Sequence, residues 1–337
     1  MDTYKEGTLY ILGNGFDTLH GLDTSVNQFV EILKTKDIYG ETETADVVFE
    51  RYNVLWGDYE SCLADIDLDL IAEEEMMAPD YLSDYERDRN AGIYHMQQYT
   101  ESLHFAIQES LEEMVDAANE ELDTKEAKLK DFLEENDAVL SFNYTSTLEE
   151  LYKIPKNIPI CHIHGFRENG EKLLLGFREG MTLKEYNNKY FDEDKIKTIQ
   201  EKMREIKDDD GLSEEEKREE LDHWEEYYEN LTANRDYYMD KQREEIFDFY
   251  LSLKKEIQVQ KLKKFLERCK GIKRIVVMGH SMSEVDRDYM ERIERKLQPQ
   301  EWNISQHNGT PSREELREYS FFDKIKFLDL NQVYAKK

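Results

Sequence analysis

Cysteine is scarce in this chain of 337 residues. The three present, Cys62, Cys161 and Cys269, lie far apart and are odd in number, so they supply neither a disulfide framework nor a CxxC metal or redox motif. No apolar run approaches the roughly 20 residues of a membrane span. The start, MDTYKEGTLYILGNG, has no basic n-region and no small-residue cleavage site. A cytoplasmic protein without a membrane partner is expected. Positive charge is also short: 45 Lys and Arg stand against 76 Asp and Glu, a net charge of -31. Internal repeats are lacking as well.

What is present is enough for a folded protein of about two domains. Hydrophobic residues make up 39% and aromatics 12% of the chain, too many for wholesale disorder. The charge is unevenly placed. Residues 41–140 hold 29 acidic and 6 basic side chains, and residues 191–250 hold 22 and 10. The remainder carries 25 acidic and 29 basic residues. Neither acidic block offers the basic stripe that a nucleic-acid groove needs, so no direct nucleic-acid contact is expected. The near-neutral remainder can tolerate a small anion such as a dinucleotide. The chain therefore reads as a core (1–40, 135–190 and 270–337) interrupted by an acidic helical insertion (41–134) and a charged helical insertion (191–269).

Within the core, short apolar runs end in glycine or polar turns. Thr8-Leu-Tyr-Ile-Leu12 stops at Gly13-Asn-Gly15, and Ala138-Val-Leu-Ser-Phe142 runs into Asn143-Tyr-Thr-Ser-Thr147. Ile158–His164 ends at Gly165, Leu173-Leu-Leu-Gly176 is a further apolar run, and Ile275-Val-Val-Met278 precedes Gly279-His-Ser281. Phe327-Leu-Asp-Leu330 fits a last edge strand. Between them, Leu55, Tyr59, Leu63 and Ile66, and again Leu103, Ile107, Leu111 and Met114, recur at helical spacing. Residues 192–270 read as long helices broken at Asp208–Ser213, with Ser213-Glu-Glu-Glu216 as a capping box. Strands separated by helices predict an α/β fold, a Rossmann-like parallel sheet flanked by helices. Ligands of such sheets sit beyond the carboxyl ends of the strands. The turns Gly13–Asp17, Asn143–Thr147, His164-Gly165 and Gly279–Asp286 are thereby expected at one rim.

Several residues at that rim carry chemistry. Gly13-Asn-Gly15 after a strand suits a phosphate cradle, but it also suits any tight strand-to-helix turn, and Thr18 replaces the third glycine of GxGxxG. Asn143 can orient water or a ribose hydroxyl, and His164 can exchange a proton near neutral pH; a histidine on an apolar run can equally bond a neighbouring backbone group. His162 and His164 lie on one strand face, yet no third metal ligand is visible and no metal is expected. Gly279-His-Ser281-Met-Ser283 narrowly misses the GxSxG nucleophile elbow. In that reading Ser281 is the nucleophile, His307 the base, and Asp286 or Asp323 the orienting acid.

These segments together resemble a family. Leu12-Gly-Asn-Gly-Phe-Asp17 with His20-Gly-Leu-Asp-Thr24, Trp56-Gly-Asp-Tyr-Glu60, Phe142-Asn-Tyr-Thr145, His162-Ile-His-Gly165 and Gly279-His-Ser-Met-Ser-Glu-Val-Asp286 are similar, in order, to the AbiH family of bacteriophage abortive infection. That family in turn resembles the sirtuin-like NAD binders. Gly13 and Gly21 match the spacing of the sirtuin opening glycines, Asn143 matches the asparagine of the TxNxD strand end, and His164-Gly165 matches the catalytic histidine-glycine. Asp23-Thr24 stand where the sirtuins have proline-aspartate, and the four zinc cysteines of the deacetylases are missing, which argues against deacetylation.

The resemblance implies an antiphage effector that takes NAD as a substrate and hydrolyses the nicotinamide–ribose bond. Asn143 and His164 are then catalytic. Gly13, Asn14, Gly15, Phe16, Asp17, Gly279, Ser281 and Asp286 contact the nucleotide, although Asp17 and Asp286 equally suit helix capping. A phage trigger, a defence partner protein or a homo-oligomer is left open. The alternatives are a non-enzymatic nucleotide sensor that engages partners through its acidic helices, and the serine hydrolase using Ser281.

Overall fold

The structure, a computed structural model, describes residues 6–36, 56–129, 133–209, 211–232 and 235–329. In chain order its principal elements are β1 (Gly7–Leu12), α1 (Asn14–Leu19), α2 (Val26–Leu33), α3 (Trp56–Cys62), α4 (Leu68–Glu75), α5 (Ala91–Glu120), β2 (Ala138–Ser141), α6 (Thr147–Leu151) and β3 (Ile160–His162). They continue as α7 (Leu183–Phe191), α8 (Glu193–Asp208), α9 (Glu214–Thr232), α10 (Tyr237–Ser252), α11 (Val259–Arg268), β4 (Ile272–Met278), α12 (Arg287–Leu297), β5 (Glu301–Gln306) and β6 (Ile325–Asp329).

The six strands form one sheet in the order β3-β2-β1-β4-β5-β6, and every pair is parallel. This is the Rossmann-like order, in which the chain winds outward from β1 in one direction and then restarts at β4 on its other side. Side chains alternate across the sheet. Leu9, Ile11, Leu140, Ile275, Val277 and Ile304 pack on one face with residues of α11 and α12, while Leu12, Val139, Val276 and Met278 pack on the other with Phe16 and Leu148. Both faces are buried, which is why these strands appear in the sequence as nearly unbroken apolar runs. Five of the six lie in the near-neutral segments of the chain, and β2 straddles the end of the first acidic block.

Two features depart from the sequence reading. β5 was not expected: Trp302 and Ile304 are buried, but so are the polar Asn303 and Ser305 between and after them, so the strand lacks the unbroken apolar run of its neighbours. The run Leu173-Leu-Leu-Gly176 is not a strand. Leu173 is buried there, and the chain meets Lys254 at a single parallel bridge from Phe177.

The second helical periodicity holds in full, and the first holds up to Ile66, which is half-buried and lies past the end of its helical segment. Leu103, Ile107, Leu111 and Met114 are all buried along α5. Tyr59 and Leu63 are buried on α3 and the 3-10 turn that follows it, and Leu55 lies outside the described residues. The described residues fall into two compact units. One draws on Met1–Ile66, Ser102–Glu179 and Leu253–Lys337 and contains the sheet; the other draws on Asp67–Glu101 and Gly180–Ser252 and is helical. In the helical unit Tyr186 stacks on Phe247 with ring centroids 4.2 Å apart. The α8–α9 break carries the capping box, with the Ser213 amide 2.9 Å from Glu216 Oε2 and the Glu216 amide 3.3 Å from Ser213 Oγ.

Candidate functional site

The strand order reverses between β1 and β4, and the turns that follow these two strands close on each other through glycine. The Gly13 amide donates to the Met278 carbonyl at 3.0 Å and the Gly15 amide to the Gly279 carbonyl at 2.8 Å. A Cβ on Gly15 would lie 2.5 Å from the Gly279 Cα, and one on Gly13 would lie 2.6 Å from the His280 Cα. Gly279 itself has φ +64, a conformation that favours glycine. These glycines therefore serve backbone-to-backbone approach. The Phe16 amide also has an internal acceptor, the Gly13 carbonyl at 2.8 Å, and the Asn14 side chain accepts from Thr24 Oγ1 at 2.5 Å.

Beside this junction the turn after β1 meets the turn after β2. Asp17, on α1, is buried. It accepts hydrogen bonds from Thr145 Oγ1 at 2.9 Å and from Thr147 Oγ1 at 2.7 Å, with the Asn143 side chain as a further donor. It caps no helix. Burial pushes its pKa up to about 6, against the pull of these donors. His162 Nδ1 bonds the Asn143 carbonyl at 3.0 Å, and its Nε2 lies 2.8 Å from Glu149 Oε1.

The turns after β3 and β4 build a second, adjoining group. Asp286, at the start of α12, makes no side-chain cap. Its Oδ1 lies 3.2 Å from His164 Nε2 and 3.4 Å from Lys255 Nζ, and its Oδ2 lies 3.4 Å from His280 Nε2. The His164 contact is an ion-pair distance without hydrogen-bond alignment. Lys255 also donates to Glu60 Oε1 at 2.7 Å. The Met282 amide donates to His280 Nδ1 at 2.9 Å, which makes Nδ1 an acceptor and places the proton of a neutral ring on Nε2, toward Asp286.

All five side chains of this group are buried. One ammonium cannot hold two carboxylates charged equally in such a place. Burial disfavours the Asp286 charge, but Lys255 and then His164 outweigh it and hold Asp286 well below the usual carboxylate range. Glu60 is pushed up to about 7 by burial, which the Lys255 attraction only partly offsets. His164 is driven down to about 4 by burial and by Lys255, so its imidazole is neutral at pH 7.

The two groups join through Phe142, whose ring lies 4.8 Å from His164 and 4.3 Å from His280, next in sequence to Asn143. Ser281 stands apart. Among the described residues no hydrogen bond joins it to His307, which pairs with Asn308 at 3.2 Å, while Asp286 is engaged by His164, His280 and Lys255. The left-handed non-glycine residue of that turn is Met282, φ 56, not the serine that an elbow would strain. His162 and His164 face different partners, because β3 ends at His162.

The segments that meet here are those that carry the motifs spaced along the chain, and the family model for bacteriophage abortive infection AbiH matches residues 9–306. The chain belongs to the AbiH family. No curated protein and no solved structure matches it. The AbiH match takes in every residue of the two groups. Trp56-Gly-Asp-Tyr-Glu60 also lies within it, and there Trp56 Nε1 donates to the Thr24 carbonyl at 2.8 Å and Glu60 reaches Lys255. Lys255 itself was missed. It follows Lys254 in a run of charged residues, and nothing in its neighbours separates a buried lysine from a solvated one.

Proposed function

We propose that this AbiH protein acts in phage abortive infection by binding NAD or a related nucleotide at the carboxyl rim of its sheet and hydrolysing the nicotinamide–ribose bond. The observation that carries the reading is the buried contact of His164 with Asp286, beside the β2 turn that carries Asn143 and joined to it through Phe142, at the reversal of a Rossmann-like strand order, where dinucleotides bind in such sheets. Breaking the C1′–N bond releases neutral nicotinamide and leaves positive charge on the ribose ring. The ionised Asp286 is suited to stabilise that charge in a desolvated site. Asn143 positions the attacking water, and neutral His164 accepts its proton, with Asp286 favouring the imidazolium formed.

The test is incubation of the purified protein with NAD, following nicotinamide and ADP-ribose, beside an Asn143→Ala/His164→Ala double variant. Release by the wild type, reduced at least about a hundredfold in the variant, is the expected result. Equal release by both proteins would remove these residues from the mechanism, and absence of both release and binding would sink the chemistry.

A further inference from the structure

β3 forms one edge of the sheet. Toward β2 it bonds through alternate residues: the Val139 amide takes the Pro159 carbonyl at 2.9 Å, and the Ile163 amide takes the Ser141 carbonyl at 2.8 Å. The backbone groups of Ile160 and His162 therefore turn to the open edge. The His162 carbonyl accepts from the Gly165 amide at 3.4 Å; the other three groups have no strand beside them. A cleft of about 280 Å³ is lined by Ile160–His162 and by one face of α11, where Lys261, Lys264, Phe265 and Arg268 follow one another at helical spacing. Phe166 also lines it, its ring stacked on His162 at 4.1 Å.

The charge of this cleft runs against that of the chain. Residues 260–274 carry seven Lys and Arg and one acidic residue, Glu267, in a protein of net charge -31. Lys261 already holds a carboxylate, that of Glu171 at 2.5 Å. Lys264 and Arg268 have no carboxylate partner among the described residues.

We propose that the cleft docks an extended acidic peptide segment of a partner protein, which lies alongside β3 and sets carboxylates against Lys264 and Arg268. Amides and carbonyls presented along an edge strand match a peptide backbone, and the neighbouring cations choose acidic side chains. A mononucleotide would engage the cations and Phe166 but leave the strand edge unused. The inference does not depend on the chemistry proposed at the rim.

The experiment is selection of a random decapeptide library, by ribosome display, on the full chain. Enriched sequences are expected to carry Asp or Glu at alternating positions. Their affinity should fall at least about tenfold for Lys264→Glu/Arg268→Glu, whose two sites are exposed and whose melting curve should match the wild type, and should be lost when the central peptide amides are N-methylated. Enrichment without acidic residues, or equal binding to the variant, overturns the proposal. Displacement of the peptides by adenosine 5′-monophosphate would assign the cleft to nucleotides instead. Conversion of a wild-type dimer to a monomer by the same variant, seen in sedimentation, would make the occupant a second copy of this chain.

Discussion

At the scale of single residues the rim is a place where burial and charge pairing compete, and Asp17 shows the balance most simply. Its hydrogen-bond partners are hydroxyl and amide donors, and the pull of His162 is the smallest of the effects on it. Burial therefore wins, and the carboxyl titrates near pH 6 instead of 3.8. A carboxyl whose pKa is raised by folding binds more protons folded than unfolded between those two values, so its contribution to stability is full below pH 3.8 and declines as pH rises to about 6. The loss amounts to about 3 kcal/mol. His164, with its pKa lowered, works in the opposite sense and adds stability between about pH 4 and 6.5. A comparison of the wild type with Asp17→Asn isolates the first effect. Urea unfolding at intervals from pH 4 to 7 is expected to show the stability of Asp17→Asn, relative to wild type, improving with pH across that window. A pH-independent difference would mean that Asp17 is ionised throughout.

At the scale of elements, the closure of the β1 turn on the β4 turn positions everything else. The Gly15-to-Gly279 approach is backbone against backbone, and no rotamer change can relieve an added methyl. Gly15→Ala must therefore push α1 and the β4 turn apart. It is expected to lower stability by about 1–3 kcal/mol in urea unfolding and to weaken any nucleotide binding at the rim, although it deletes no polar group. The α8–α9 pair is the opposite kind of element. α8 buries only Ile199, α9 buries nothing, and of the large exposed hydrophobics only Tyr227 lies on the pair. That surface is a solvated face, and it lends no support to a partner-binding role for these acidic helices.

The elements also show what could be read from sequence. Strands such as β1 and β4 were legible because burial on both faces forces unbroken apolar runs, and their turns because glycine or asparagine must follow. β5 was hidden by its buried Asn303 and Ser305, and Leu173–Leu175 imitated a strand with apolar residues that line a loop. Of the rim, residues inside strand-end motifs were legible: Asp17, Asn143, His164 and Asp286. Lys255 was not, because its role comes from a bridge between Phe177 and Lys254 that brings a loop to the rim, and loop placement leaves no periodic trace.

Over the whole molecule electrostatics is ruled by a net charge of -31, concentrated in 41–140 and 191–250. Like charges held together by folding repel, and the repulsion acts between many pairs at once. The ion pairs that oppose it are mostly exposed, as in Lys184–Asp194 and Arg317–Glu314, and such pairs contribute at most about 1 kcal/mol each. Salt screens both effects, shortening the range of charge interactions from about 30 Å at 0.01 M to about 8 Å at 0.15 M. Repulsion acts over longer distances than a contact pair such as Lys184–Asp194 at 3.1 Å, so it is screened more completely. The buried cluster of Glu60, Lys255, Asp286 and His164 is shielded from salt by its burial and should scarcely respond. Melting temperature, followed by circular dichroism at pH 8, is therefore expected to rise by several degrees between 0.01 and 0.15 M sodium chloride and then to level off. A fall over the same range would mean that contact pairs, rather than the summed repulsion of the two acidic blocks, govern the electrostatic part of this protein's stability.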